Sequence, residues 1–370
     1  MNREVFVAAD NVFTPLGKTT AENFENLKQG KTAVKQHSAP QPFYAALFDE
    51  DVLPKDDRYT KFEQVLIASM TGALQQSGLN ASHKKTILIL SSTKGNISLI
   101  ETEKHDARLK DRIALSTSAS LTAKHFGFVN EPIIVSNACI SGVMAMITGM
   151  RLLRTGQYEN AVIAGADVIS EFILSGFQSF QALSSGICKP FDKNRDGLNL
   201  GEGAGTIILS SDEKHSGNIK VLGGGISNDA NHISGPSRTG KELSFAIDQA
   251  LKDAHISAND IGFISAHGTA TPYNDEMEAH AIALSGLESI PLNSLKANYG
   301  HTLGAAGLIE SIVSIRALKE SLILPTMGFK EHGVTQPVTV TQSVTTSSKP
   351  NFLKTASGFG GCNAAIVFGK

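Results

Sequence analysis

The chain is short of cysteine, of charge and of long apolar runs. Its three cysteines, Cys139, Cys188 and Cys362, are too few and too scattered for a disulfide framework or a zinc site. That scatter suits a reduced, soluble protein of the cytoplasm. Charged residues make up 18% of the 370, against about 25% in an average globular protein. A formal net charge of −2 leaves no electrostatic footprint for nucleic acid or an anionic membrane. No apolar run reaches the ~18 uninterrupted residues that a transmembrane helix needs. The longest uncharged stretch, Pro132 to Met150, carries Ser136, Asn137, Ser141 and Thr148, and so reads as a strand and helix buried in protein. The opening MNREVFVAAD has no signal-peptide pattern.

What the sequence does have is apolar residues, at 41%, and 34 glycines. A chain of this size buries roughly three quarters of its unfolded surface, which suits one large α/β domain or two fused halves. Strands are expected at Arg3 to Ala9, Thr86 to Ser91, Ile133 to Ser136, Ala161 to Ala166, Gly205 to Ser210, Ile219 to Gly223, Gly262 to Ala266 and Ala364 to Phe368. Helices are expected at Thr20 to Leu27, Lys61 to Gln76, Cys139 to about Thr155, Leu243 to Ala254 and Ala305 to Lys319, by apolar spacing and stop signals. Continuous apolar strands imply a sheet covered on both faces, and intervening helices imply parallel crossovers. Thr339 to Ser348 reads as strand or loop. A polar cluster at Asp212 to Ser216 is the best boundary, dividing the chain into 1–212 and 213–370.

Four segments could carry chemistry. Ser136-Asn-Ala-Cys139-Ile-Ser-Gly142 is a small-residue turn that places Cys139 at a helix start. Helix N-termini lower a thiol from about 8.5 to about 3.5–7.5, so Cys139 reads as a nucleophile, or else as a small core residue. Ser265-Ala-His267-Gly-Thr269-Ala-Thr271-Pro272 puts a histidine and two hydroxyls at a strand end, as a ligand pocket or a capped turn. Lys296 to Gly307 carries His301 just before a Gly/Ala-rich helix, flanked by Lys296 and Glu310, which read equally as surface charges. Ser357-Gly-Phe359-Gly360-Gly-Cys362-Asn363 surrounds one aromatic with glycines, either to present a backbone N–H or as an ordinary turn.

Two decoys fall away. Asp192-Lys-Asn194-Arg-Asp196-Gly197 imitates a calcium loop, but its twelfth position is Gly203, with Glu202 one place short. Gly223-Gly224-Gly225 lacks the dinucleotide fingerprint.

Together these segments, with Thr14-Pro-Leu-Gly17, Ala182-Leu-Ser184, Pro190-Phe-Asp192, Arg195-Asp-Gly197 and Gly201-Glu-Gly-Ala-Gly205, resemble the β-ketoacyl synthases of the thiolase superfamily, of the elongating type. The resemblance covers nearly the whole chain. It implies an α/β, thiolase-like five-layer αβαβα fold built from two similar halves. The first half would carry the nucleophile and the second both histidines. It implies that Cys139 accepts the acyl group and that His267 and His301 are catalytic, with Lys296 among the catalytic set and Glu310 and Asp275 in support. Phe359 becomes the gate, its N–H joining that of Cys139 as the oxyanion hole. Thr269, Thr271 and Gly360 become substrate contacts. The implied reaction is decarboxylative condensation with malonyl-[acyl carrier protein], in fatty acid or polyene/polyketide-type biosynthesis. It uses neither metal nor free cofactor, since phosphopantetheine arrives as the arm of the carrier protein. The implied partners are acyl carrier protein and a second copy or a related synthase-like chain. The competing readings are a thiolase-fold acyltransferase without decarboxylation, and a noncatalytic chain-length partner. The Ser91 to Ser116 stretch looks trimmed and Leu198-Asn199 departs from the family pattern, which suggests a specialised product.

Overall fold

Successive residues along the apolar strands alternate between two cores rather than between core and water. In Thr86–Ser91, Ile87 and Ile89 enter one hydrophobic cluster, and Leu88 and Leu90 another. In Cys362–Gly369, Ala364, Ile366 and Phe368 enter the first cluster, and Ala365 and Val367 a third. Each strand is covered on both faces, as its unbroken apolar composition requires. The computed structural model describes residues 3–38, 42–49, 51–53, 56–215, 219–229 and 235–370.

Among the described residues, ten strands of an eleven-stranded sheet fall into two sets of five with one topology, each set forming one layer, called a sheet below. Phe6–Phe13, Thr86–Ser91, Ile133–Val135, Asn160–Asp167 and Gly203–Ser210, numbered in chain order, lie side by side as 3-2-4-5-1. Lys220–Asn228, Ile261–Ser265, Pro291–Asn293, Asn351–Gly358 and Cys362–Gly369 repeat the order 3-2-4-5-1. The first strands of the two sets meet at Phe6 and Lys220. One set lies before residue 212 and the other after residue 213. Ser216, at the end of the expected boundary cluster, and Met1 and Asn2 lie outside the described residues.

Helices complete five layers. Ser141–Arg154 and Ala306–Lys319 lie between the two sheets, sharing one core cluster with the inner faces of both. Lys61–Ser77 and Leu115–Phe126 cover the outer face of the first sheet, and Lys241–Asp253 and Pro272–Leu284 that of the second. This is the αβαβα arrangement that the resemblance implies.

The sheets are mixed, which corrects the expectation of parallel crossovers throughout. The three central and outer strands of each set run parallel, but Gly203–Ser210 and Cys362–Gly369 pair antiparallel with both neighbours. For Cys362–Gly369 the cause is local: only Phe359, Gly360 and Gly361 separate it from Asn351–Gly358. A link that short permits only a hairpin. Thr339 to Ser348 yields the short strands Thr339–Val340 and Thr345–Thr346. Gly223-Gly224-Gly225 lies inside a strand, as the rejected nucleotide reading requires.

The two central helices bring their N-terminal ends together. A Cβ on Gly142 would sit 2.9 Å from the Leu308 nitrogen and 3.0 Å from the Gly304 oxygen. Only glycine permits this approach. It places the turn that carries Cys139 beside the turn that carries His301.

Candidate functional site

Cys139 lies in the turn between strand Ile133–Val135 and helix Ser141–Arg154, one residue before the helix cap Ile140. Ala138 has φ 43°, a left-handed conformation that costs a residue with a side chain on the order of 1 kcal/mol or more. Ser141 braces it: its hydroxyl donates to the Ala138 carbonyl at 2.6 Å and accepts from the Asn137 N–H at 2.8 Å. The last strand but one closes against this turn, since a Cβ on Gly358 would fall 2.9 Å from the Cys139 nitrogen. Phe359, the next residue, lines the cavity with Cys139, and its N–H pulls the thiol's pKa down.

The thiol does not behave as the helix-start expectation had it. Burial, followed by the neighbouring Cys362, pushes Cys139 up to about 12, against the smaller pull of Lys296 and the Phe359 N–H. Removal of water is the largest of these causes. Alkylation of Cys139 in the free protein is therefore expected to accelerate by about tenfold per pH unit from roughly pH 7 to 10. Mass-resolved iodoacetamide kinetics check this, and a plateau below pH 8 would contradict it.

His267 follows strand Ile261–Ser265, and its backbone is held on both sides. Two carboxylates at i and i+3 on helix Pro272–Leu284 take four successive N–H groups. Glu278 accepts from His267 and Gly268, each at 2.8 Å, and Asp275 from Thr269 at 2.9 Å and Ala270 at 3.1 Å. The carbonyls are held by buried ammonium groups. Lys296 Nζ donates to the His267 oxygen at 3.0 Å, and Lys354 Nζ to the Ser265 and Ala266 oxygens at 3.1 Å. Glu310 accepts from both lysines, at 2.6 Å from Lys354, and all three side chains are buried.

His301 is fixed by its N–H donating to the Asn199 carbonyl at 2.6 Å. Its ring meets that of His267 edge to face, with centroids 5.2 Å apart. Both Nδ1 atoms are buried without a hydrogen-bond partner. Burial first, and the charges of Lys296 and Lys354 next, hold both imidazoles well below the ordinary histidine range. At neutral pH they are two uncharged rings, each able to donate one N–H.

Cys139, His267, His301, Phe359, Thr269 and Thr271 all line one cavity of about 410 Å³. The hydroxyls of Thr269 and Thr271 lie 2.9 Å apart on its wall. Four expected residues do not line it. Lys296 and Glu310 lie behind the histidines, where Lys296 grips the backbone of His267. Asp275 is fully buried and spends its carboxylate on the backbone of 269, 270 and Phe191. Gly360 is exposed, with φ +84°, and turns the hairpin beside the cavity, between the lining residues Phe359 and Gly361.

Several site residues escape the sequence reading. Lys354 stands in a strand disguised by its polar run, and Glu278 looks like a helix-surface acid. Phe177 and Phe180 crowd Phe359 at the mouth, with ring centroids 5.8 and 5.4 Å away. Asp196, half of the calcium decoy, also lines the cavity while accepting from Ser184 and Ser185. Among the described residues no cluster of His, Cys, Asp and Glu could hold a metal, and no helix is long and apolar enough to cross a membrane.

Comparisons with known proteins point to one family. Residues 2–215 match the family model described as the beta-ketoacyl synthase N-terminal domain, and residues 219–330 match that of the C-terminal domain. The chain is 29% identical to 3-oxoacyl-[acyl-carrier-protein] synthase 2 of Vibrio cholerae, covering 99% of each. Among solved structures it superposes on the ishigamide ketosynthase/chain length factor with a TM-score of 0.91, at 26% identity over 100% of both chains. It also superposes on the type II polyketide synthase complex AntDE:AntF, an acyl-carrier protein with its ketosynthase bound to the hexaketide. There the TM-score is 0.88, at 25% identity over 100% of both chains.

Proposed function

We propose, from the premise that this chain belongs to the β-ketoacyl synthase family and is an acyl-transferring enzyme, that it joins an acyl group on Cys139 to malonyl-[acyl carrier protein] with loss of CO2. The observation that carries the proposal is the convergence of one thiol and two uncharged imidazoles on a single cavity.

In the first half-reaction Cys139 sulfur attacks an acyl thioester. The carrier thiolate leaves, and the proton lost by Cys139 ends on the carrier thiol. The N–H groups of Cys139 and Phe359 hold the oxyanion that forms on the way; one such donor is typically worth about 3–4 kcal/mol in the transition state. In the second, the bond between the malonyl carboxyl and its CH2 breaks. CO2 departs and the electron pair moves into a thioester enolate. His267 and His301 donate N–H bonds to the enolate oxygen. The enolate carbon attacks the acyl-cysteine, the Cys139 sulfur leaves and takes up a proton, and a 3-oxoacyl thioester is released. Uncharged rings suit this task, because they donate a bond without giving a proton away.

Thr269 and Thr271 are read as contacts for the phosphopantetheine arm and Phe359 as the gate, no free cofactor being required. Lys296 and Asp275 act through the backbone they hold, and Glu310 through the two lysines it pairs. Residues 1–212 and 213–370 are read as two halves, one supplying the thiol and the other the imidazoles. Acyl carrier protein is the partner that delivers both substrates, and the enzyme is read as working in the cytoplasm. A second copy or a chain-length-factor-like chain is the expected subunit partner, as in the ishigamide neighbour. A polyene or polyketide-type product is favoured over housekeeping fatty acids by the same neighbours.

Incubation with acyl- and malonyl-carrier protein, read by intact mass and CO2 release, tests the proposal. Acyl-Cys139 followed by a 3-oxoacyl product with stoichiometric CO2 is the expected result. Acyl exchange without CO2 would establish a non-decarboxylating transferase instead.

A further inference from the structure

The segment around His267 is held by more cation than the sequence suggests, and the second cation stands at a junction. Lys354 lies in strand Asn351–Gly358, opposite Ser265 of the parallel strand Ile261–Ser265. It is fully buried. Its ammonium has three acceptors for its three hydrogens: the oxygens of Ser265 and Ala266 at 3.1 Å and Glu310 at 2.6 Å. Each acceptor belongs to an element that ends in the site. Ser265 and Ala266 lead directly into His267. Glu310 lies on helix Ala306–Lys319, which follows His301. The strand of Lys354 itself runs on to Gly358 and Phe359, whose N–H pulls the pKa of the Cys139 thiol down. Lys296, the other partner of Glu310, ties only the first two of these elements together.

We infer that Lys354 is a positioning residue for the decarboxylation step: it fixes, through three hydrogen bonds, the mutual placement of His267 and His301. This inference rests on the reaction proposed above. Misplacing groups by about 1 Å at such a site costs on the order of 100-fold in rate. Lys354 also faces both rings as a positive charge, together with Lys296, and helps keep them uncharged. The opposing charges near it are Glu310 and Glu278; the latter accepts from the His267 and Gly268 N–H groups and, at 2.6 Å, from the Thr355 hydroxyl.

Lys354→Met is the variant of choice, because methionine fills the space and leaves Lys296 and Glu310 as a balanced pair. The unaltered enzyme is assayed first, for acylation of Cys139 and for CO2 release from malonyl-carrier protein; failure there removes the reaction, not the placement of Lys354. In the variant, decarboxylation is expected to fall roughly 10- to 100-fold while acylation changes less than about threefold. The acid limb of the decarboxylation profile is expected to move up by about one pH unit, since one of the cations facing the imidazoles is gone. Equal losses in both steps with an unmoved acid limb, or no loss at all, would overturn the inference. If the variant does not fold, NMR of the lysine ammonium groups in the unaltered protein decides. Two slowly exchanging Nζ signals are expected, from Lys296 and Lys354, and one or none overturns it.

Discussion

Replacing Cys139 by alanine should abolish acylation of the protein and lower condensation by roughly 10⁴-fold or more, the scale of loss when a nucleophile is removed. The same variant should still release CO2 from malonyl-carrier protein, and at a rate within about tenfold of the unaltered enzyme. The reason lies in how the site is divided. The thiol stands on the turn before Ser141–Arg154, while both imidazoles are braced by groups that do not touch it: Glu278, Asn199, Lys296 and Lys354. Loss of one sulfur leaves those braces intact. Intact-mass detection of the acyl adduct and trapping of labelled CO2 separate the two activities. Persistence of condensation in Cys139→Ala would sink the assignment.

The histidines should give the complementary result. His267→Ala and His301→Ala are each expected to cut decarboxylation by about 10²–10³-fold, as when one preorganised donor to a developing oxyanion is lost. Acylation should fall by less than about tenfold, because the oxyanion donors for that step are the backbone N–H groups of Cys139 and Phe359. The double variant should lose less than the product of the single losses, since the two rings, 5.2 Å apart, serve one oxygen. Both rings are held below the ordinary histidine range, so they are neutral above their lowered values and become charged only as pH falls through them. Decarboxylation should therefore hold steady from neutral pH down into the acid range, with its acid limb below the usual histidine region. If both steps fell equally in both variants, the imidazoles would be serving the thiol instead.

Much of this was legible in the sequence, and the pattern of success has a physical cause. Strands buried on both faces are uninterrupted apolar words, so Thr86–Ser91 is read to the residue and Asn160–Asp167 within one at each end. Lys61–Ser77 announces itself by apolar spacing and by Gly78, which caps it in the left-handed region. Cys139, His267 and His301 are legible because small residues surround them, where backbone must come close. Asn351–Gly358 is missed because Lys354, Thr355 and Ser357 look like surface, although all are buried and their polar atoms are paired internally. Pro272–Leu284 is missed because Thr271-Pro272 was read as pocket; those two residues are also an N-cap and first-turn proline, a signal that was available. The upward push that burial gives the Cys139 thiol is not legible, because the helix end is visible in sequence and the depth of burial is not.

The shared layer between the sheets has a further consequence. Ser141–Arg154 and Ala306–Lys319 bury themselves against each other and against both sheets, through Val143, Ile147, Leu308, Ile312 and their neighbours. A fragment cut at residue 212 would leave its inner face greasy and open to water, and the remaining fragment would do the same. Neither fragment is expected to fold alone, and the whole chain is expected to melt in a single calorimetric transition. The duplicated topology records an internal doubling, yet the molecule cannot be divided along that seam without losing both the interior and the chemistry at its rim.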